Sequence, residues 1–221
     1  MSLARRAAAE GLGTALLLAT VVGSGIMGER LAGGNVAIAL LANSLATGFA
    51  LIALIVAFGP RCGAHFNPVV TIALAIRGEF ARKEVVAYLA AQIIGAMLGV
   101  ALAHGMFDLP LLQAGDKIRS GAGQWLSEGV ATFGLVFLVL GFDRKTAWAA
   151  PFAVGGYIAA AYWFTASTSF ANPAVTLARA FTDTFSEIRL QDVPAFMACQ
   201  FAGAAAAIAA DRLLRGGSPT N

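Results

Sequence analysis

The sequence predicts an all-α membrane protein with six transmembrane helices and two re-entrant half-helices, built as an inverted repeat of two three-helix halves. Three observations support this fold class. Hydrophobic residues make up 58% of the 221 residues and charged residues only 12%, about half the charged fraction of a typical soluble domain. Long stretches of the chain carry no charge at all. An Asn-Pro motif also occurs twice, 105 positions apart (172 − 67).

The membrane-spanning helices are predicted from stretches that lack Asp, Glu, Lys and Arg. A helix needs about 20 apolar residues to cross the hydrocarbon core. Six stretches approach or exceed this length, the fourth once the neutral residues before it are included: 11–28, 31–60, 85–107, 129–142, 146–178 and 193–210. The fifth is too long for one helix, and the apolar stretch 62–76 is too short. Both contain an Asn-Pro pair, which indicates re-entrant segments.

Positive charges predict the orientation in the membrane, because the cytoplasmic ends of membrane proteins are enriched in Lys and Arg. With the N-terminus inside, ten of the 15 Lys and Arg residues fall on the cytoplasmic side and five outside. We therefore expect a multi-pass protein of the cell inner (plasma) membrane with both termini in the cytoplasm. The lipid bilayer is the expected environment, and the net charge of +3 gives no indication of a nucleic-acid partner.

The two halves of the sequence match in order. Residues 9–17 (AEGLGTALL) align with 127–135 (SEGVATFGL), and 85–96 (VVAYLAAQIIGA) align with 193–204 (VPAFMACQFAGA). In each half, one Asn-Pro motif lies between the two aligned segments. The repeats therefore extend over about 7–107 and 120–214. Because each half has three spans, an odd number, the second half must be inverted. Inverted repeats with interrupted helices place a site at their interface near the midplane.

Each copy of the motif predicts a short helix that begins near mid-membrane. Asn is a good N-cap and Pro is favoured at the next position, so NPVVT and NPAVT predict half-helices over 68–76 and 173–181. Each Asn caps its helix with its side-chain oxygen and keeps its NH₂ group free to donate to a solute. The two facing N-termini also concentrate positive charge, which repels cations and protons. The midplane residues are Asn67, Pro68, Val69, Asn172, Pro173 and Ala174.

On these residues the chain resembles the aquaporin/aquaglyceroporin (major intrinsic protein) family. The resemblance rests on GAHFNPVVT (63–71), TSFANPAVT (168–176), the two Glu-Gly openings and a pair of equivalent glutamines. It implies one pore in each protomer of a homotetramer, with residues 1–221 forming a single channel domain. It also implies that Glu10, Glu128, Gln92 and Gln200 brace the re-entrant loops and that His65 lines the cytoplasmic mouth of the pore.

The resemblance also locates the outer selectivity filter, at Thr47, Ala160, Ser169 and Val175. Family members usually have Arg where this chain has Val175, together with aromatic residues and often His. A filter without these side chains is expected to be wide, and it resembles that of the bacterial arsenic-resistance-associated branch. Arg179 lies about one helical turn beyond Val175. We expect Arg179 to cap the half-helix or face solvent rather than to replace the missing charge.

These expectations favour a passive channel for small neutral solutes, including metalloids such as arsenite and methylated arsenicals, and also glycerol and water. Two alternatives remain open. One is a facilitator selective for water or glycerol, and the other is an ion-coupled secondary transporter, since inverted repeats and broken helices occur there too. No cofactor is expected. The sequence also predicts no metal site, because its His residues do not lie in a Cys, His and carboxylate cluster, and no catalytic motif indicates an enzyme.

Overall fold

The computed structural model describes residues 1–143 and 145–215, and every regular element in these residues is helical. Arg144, one of the ten charges assigned to the cytoplasmic side, lies outside the described residues, as do 216–221. The described α-helices are α1 (Leu3–Leu31), α2 (Val36–Cys62), α3 (Pro68–Arg77), α4 (Val85–Met106), α5 (Ala122–Gly141), α6 (Ala150–Phe164), α7 (Pro173–Ala178) and α8 (Val193–Leu214). Short 3₁₀ turns precede α4, α6 and α8, and another follows α7.

Five of these helices, α1, α2, α4, α5 and α8, are long and apolar enough to cross a membrane by themselves. The sixth predicted span is α6, which has only 15 residues but follows directly on the 3₁₀ turn Ala147–Ala149. At about 1.5 Å per α-helical residue and about 2.0 Å per 3₁₀ residue, the two together rise about 28 Å. This length is close to the hydrocarbon thickness of about 30 Å.

Ion pairs show which helix ends lie together. Arg6 at the start of α1 pairs with Glu84 just before α4, with 2.6 Å between Nη2 and Oε1. Arg77 at the end of α3 lies 3.7 Å from Asp211 near the end of α8. Both chain ends are therefore at one end of the bundle, which we call the terminus face. The other end, where α1 meets α2 and α4 meets α5, is the opposite face.

Glycines let two pairs of parallel helices approach closely. A Cβ added to Gly95 of α4 would lie 2.2 Å from the carbonyl oxygen of Gly11 in α1. A Cβ added to Gly203 of α8 would lie 2.2 Å from the carbonyl oxygen of Gly129 in α5. These four glycines occupy matching positions in the two predicted repeats, so the same backbone-to-backbone contact is made twice.

The outer surface of the bundle carries large apolar side chains. Phe49, Val86, Trp148 and Phe152 are all more than half exposed. A helix bundle in a bilayer presents large apolar side chains of this kind to lipid. The buried core lies where α1, α2, α4, α5 and α6 surround the two half-helices.

Candidate functional site

The two half-helices begin at the predicted Asn residues. Asn67 is the N-cap of α3, and its Oδ1 accepts a hydrogen bond from Val69 N at 3.1 Å. Asn172 is the N-cap of α7, where Oδ1 accepts from Ala174 N at 3.0 Å and Val175 N at 3.3 Å. Helix α3 runs one residue beyond the predicted end. Helix α7 ends at Ala178 and continues as a 3₁₀ turn over Arg179–Phe181, which completes the predicted length.

The NH₂ groups of the two Asn residues join the re-entrant loops to each other. Asn67 Nδ2 donates to Ala171 O, and Asn172 Nδ2 donates to Phe66 O, both at 2.8 Å. The expectation that both NH₂ groups are wholly free is therefore wrong. Each NH₂ group has two hydrogens, so one is engaged across the junction and the second remains for a solute. Both side chains line the central cavity.

The loops that precede the half-helices repeat the same unusual backbone conformation. Three pairs of residues related by the 105-residue offset have positive φ: Gly63 (89°) and Thr168 (61°), Ala64 (52°) and Ser169 (50°), and Phe66 (50°) and Ala171 (48°). A non-glycine residue in this conformation costs about 1–3 kcal/mol and persists only where its surroundings enforce it. The loops therefore need firm anchors inside the bundle.

In the first half the anchor is a fully buried network around Glu10. Glu10 Oε1 accepts hydrogen bonds from Phe66 N and from Gln92 Nε2, the latter at 2.8 Å. Gln92 Nε2 also donates to Thr71 Oγ1 at 2.9 Å. A carboxylate on α1 and an amide on α4 thus hold the loop and the first turn of α3 together.

In the second half Glu128 occupies the matching place and makes more bonds. It accepts hydrogen bonds from two backbone N–H groups and two side chains: Phe170 N (2.9 Å), Ala171 N (2.9 Å), Ser167 Oγ (2.6 Å) and Gln200 Nε2 (2.6 Å). Gln200 Nε2 also donates to Thr176 Oγ1 at 2.7 Å. The four residues expected to brace the loops are therefore brought together in two equivalent sets, one in each half.

A cavity of about 280 Å³ runs past both Asn residues. Glu79 and Asp143 line it near the terminus face, and Arg179 lines it on the side of the opposite face. Its walls between these ends are mainly aliphatic, with side chains from Leu17, Val21, Leu51, Ile55, Val70, Leu74, Leu135, Val139, Val154 and Ile158. The two Asn residues supply polar groups near the middle of an otherwise apolar passage.

Only two of the six predicted midplane residues, the Asn pair, line this cavity. Pro68, Val69, Pro173 and Ala174 are buried but face away from it. Val69, for example, packs in a cluster with Val136 and Leu140 of α5. The other four pack against neighbouring helices, because only one side of a half-helix can face the cavity.

Three of the four predicted filter residues, Thr47, Ser169 and Val175, line the cavity. Ala160 does not, and it is exposed on the outside of the bundle. The cavity-lining residues near it on α6 are Ile158 and Tyr162. Ala160 lies two residues from each, about 200° around the helix at about 100° per residue. The assignment of Ala160 to the filter is therefore wrong.

Tyr162 is the residue that α6 contributes to this part of the cavity. Its side chain is buried, and its hydroxyl lies 3.2 Å from Thr47 Oγ1. The four positions named from the sequence contain no aromatic residue, but Tyr162 brings one to the cavity beside Thr47. Sequence reasoning missed Tyr162 because α6 is apolar on all sides, so no polar stripe marks the face that lines the cavity.

Arg179 is the C-cap residue of α7, as one of the two expectations had it, and its backbone N–H donates to Leu177 O and Val175 O. It does not face solvent: it is 2% exposed and lines the cavity. Its guanidinium carbon lies 3.4 Å from the ring centre of Phe170, and its Nε donates to Ser186 O. Arginine stacked over an aromatic face is a recognised stabilising contact. The chain therefore has a cation at the opposite-face end of the cavity.

His65 lines the cavity on the side of the terminus face. Its Nδ1 lies 3.0 Å from Thr71 Oγ1, and its ring packs against Phe80 and Tyr88 with centroid distances of 5.0 and 5.4 Å. The ring is therefore held in one orientation beside the cavity.

Three carboxylates on the opposite face, Asp116, Asp183 and Glu187, approach within 4.8 Å of one another. Sequence reasoning did not single them out because they are far apart along the chain. Glu187 Oε2 accepts a hydrogen bond from Asp116 N at 2.8 Å. Partial burial, and then the charge of Asp183, raise the pKa of Glu187 above its ordinary value. The group lies outside the cavity and ties two connections together.

Six spans, two capped half-helices that meet inside the bundle, and a cavity past both caps define a polytopic membrane channel. The chain belongs to the major intrinsic protein family, whose sequence model matches residues 1–169. It is 55% identical over 212 residues to aquaglyceroporin AqpS of Rhizobium meliloti (strain 1021), covering 96% of this chain and 91% of that protein. It is 36% identical over 118 residues to the glycerol uptake facilitator protein of Bacillus subtilis (strain 168), covering 47% of this chain and 43% of that one.

A solved structure supports the fold. The X-ray structure of the aquaglyceroporin from Plasmodium falciparum matches with a TM-score of 0.73 at 21% identity, covering 96% of this chain and 97% of that one. This structure confirms the predicted fold class. The family model and the 55% identical relative confirm the family, and with it a multi-pass membrane channel rather than an enzyme.

Proposed function

We propose that this chain is a passive channel for small neutral solutes larger than water: glycerol, and metalloids such as arsenite and methylated arsenicals, with water also permeant. The observation that carries the proposal is the aliphatic cavity of about 280 Å³ with Val175 at the usual Arg position and polar Asn groups at its middle. The 55% identical relative, named an aquaglyceroporin, supports glycerol as a solute.

The metalloid part of the proposal follows from the solute's chemistry. Undissociated arsenite is a small neutral molecule with several hydroxyl groups, so it resembles a short polyol. The remaining N–H groups of Asn67 and Asn172 can donate hydrogen bonds to one hydroxyl oxygen of the solute at a time. The aliphatic walls of the cavity contact the less polar side of the solute. Val175 is smaller than the Arg that family members usually have at this position, and Thr47 and Ser169 are small as well. These side chains leave more of the cross-section of the cavity open to such a solute.

The setting in the membrane is part of the same proposal. We infer that residues 1–221 form a single channel domain built from inverted repeats over about 7–107 and 120–214, that the terminus face is cytoplasmic in the plasma membrane, and that the channel is a homotetramer. The matched Glu–Gln networks support the repeats. The bias of Lys and Arg residues supports the orientation, and the family supports the tetramer.

Solute flux into proteoliposomes tests the proposal. Stopped-flow light scattering should show water and glycerol entry, and arsenite and a methylated arsenical should accumulate in the same vesicles. We expect V175R to reduce glycerol and arsenite flux more than water flux, because a guanidinium would occupy cavity space that Val175 leaves open. Water flux without glycerol or arsenite flux would favour the water-selective alternative. Flux that requires an ion gradient would favour a secondary transporter.

A further inference from the structure

The opposite-face end of the cavity contains two arginines on one aromatic ring. Arg179 follows α7, and Arg119 comes from the connection between α4 and α5. Their guanidinium carbons lie 3.4 and 4.9 Å from the ring centre of Phe170. The backbone N–H of Phe170 donates a hydrogen bond to Glu128 Oε1, which holds Phe170 in place. The ring therefore fixes the position of both cations relative to the re-entrant loop.

The two arginines use their donors differently. Arg119 Nε donates to Glu187 O at 2.7 Å and its Nη1 to Ser167 O at 3.1 Å, and the residue does not line the cavity. Arg179 uses only Nε, on Ser186 O. Its two Nη groups make no hydrogen bond with the described residues, and no described carboxylate lies within 4.0 Å of it. Arg179 thus presents an unpaired charge to the cavity.

Backbone bonds hold Arg179 in this position. Ile188 N donates to Arg179 O at 3.2 Å, and Gly115 N donates to Ala180 O at 3.1 Å. Gly115 fits only without a side chain, since a Cβ there would lie 2.7 Å from Ile188 O. The turn after α7 is therefore fixed by two other segments, and the guanidinium is oriented before any solute arrives.

We propose that Arg179 is the specificity-determining cation of the pore: it repels cations at the opposite-face end and offers its Nη donors to solute oxygens. This deepens the proposed function and rests on it. Val175 carries no charge and cannot repel cations. Arg179, about one helical turn further along the chain, supplies the positive charge instead. A neutral polyol gains hydrogen-bond donors there, whereas a cation entering the cavity meets a guanidinium that forms no ion pair with a described carboxylate.

The size of the effect follows from Coulomb's law. For a permeating monovalent cation about 6 Å from the guanidinium, at an effective dielectric of about 20, Coulomb repulsion lowers the occupancy at this position about a hundredfold. The surrounding groups support a positive potential at this end. Burial, and then the charges of Arg119 and Arg179, lower the pKa of Lys117 in the connection between α4 and α5.

The test compares cation conductance with solute flux in the same preparations. R179Q removes the charge and should raise Na⁺ conductance in planar bilayers by about a hundredfold while water still permeates. R179K keeps the charge and should retain most of the exclusion. R30Q is the matched control, because Arg30 is also on the opposite face and lies over a ring, 5.1 Å from the centre of Phe107, but is exposed and outside the cavity.

An R179Q channel that conducts water but excludes Na⁺ as well as the unmodified channel would overturn the proposal. If R179Q does not insert, S186D tests the same charge with Arg179 in place, since a carboxylate would then neutralise the guanidinium. S186D should raise Na⁺ conductance, and unchanged exclusion would again refute the proposal. Failure of the proposed function would look different: the unmodified channel would conduct no glycerol or arsenite, whatever its cation conductance.

Discussion

Replacing Glu128 by Gln should destabilise the protein clearly more than the same change at Glu10, although the two residues occupy equivalent places. Glu128 accepts at both oxygens: Phe170 N and Ser167 Oγ at Oε1, and Ala171 N and Gln200 Nε2 at Oε2. Glu10 accepts only at Oε1, and its Oε2 makes no hydrogen bond with the described residues. An amide NH₂ can therefore replace Oε2 of Glu10 without facing another donor.

The difference in magnitude follows from the backbone donors. Whichever way the side-chain amide introduced by E128Q is turned, its NH₂ meets a backbone N–H, either that of Phe170 or that of Ala171. One buried N–H then loses its acceptor, at a cost of about 1–3 kcal/mol. In a domain of this size 1 kcal/mol shifts the Tm by about 2–4 °C. We therefore expect E128Q to lower the Tm by about 2–12 °C relative to E10Q.

Thermal unfolding of detergent-purified protein, followed by circular dichroism, measures this difference. Both variants replace a fully buried Glu side chain by an amide of the same size, so E10Q controls for the exchange itself. Glycerol flux in proteoliposomes gives a second reading, because the loop that Glu128 holds carries Ser169 and leads to Val175. Equal Tm values for E10Q and E128Q, or a lower Tm for E10Q, would refute the reasoning from hydrogen-bond geometry.

Three further predictions concern packing, selectivity and pH. G95A should destabilise the protein by about 1–3 kcal/mol, because the added Cβ would clash with the backbone of α1. G156A should raise the Tm slightly, because the space around its Cβ is open. Similar Tm shifts for the two variants would contradict the close packing of α1 and α4. Y162A should raise glycerol flux relative to water flux several-fold in stopped-flow assays, and A160V should leave the ratio unchanged. Burial raises the pKa of Asp192, but hydrogen bonds from a guanidinium and a backbone N–H outweigh it and hold the pKa low. Its stabilising contribution should therefore be present above about pH 4 and decline as the pH falls further, and D192N should weaken this pH dependence of the Tm.

Much of the fold was predictable because it depends on local chemistry. The length of charge-free stretches identifies the spans, and Asn followed by Pro identifies the starts of α3 and α7. The Glu and Gln residues that hold the loops of both halves were also predictable. A buried carboxylate needs partners, and a re-entrant loop with unpaired N–H groups supplies them.

Details of the candidate site were less predictable. The sequence does not distinguish the face of α6 that lines the cavity, because every side of this helix is apolar. Spacing from Asn172 therefore predicted Ala160 instead of Tyr162. The Asn NH₂ groups were expected to be free because their acceptors, Ala171 O and Phe66 O, are 104 and 106 positions away.

The sequence alone therefore determined the family, the spans and the two capped half-helices, since each depends on hydrophobic length or on hydrogen bonds within a few residues. Only the tertiary structure decided what surrounds the solute. Arg179 was expected to cap the half-helix or to face solvent. It does cap α7, but its burial beside the cavity depends on the ring of Phe170 and the carbonyl of Ser186. Such contacts form only when separate segments pack together, because the direction of a side chain is set by its neighbours in space.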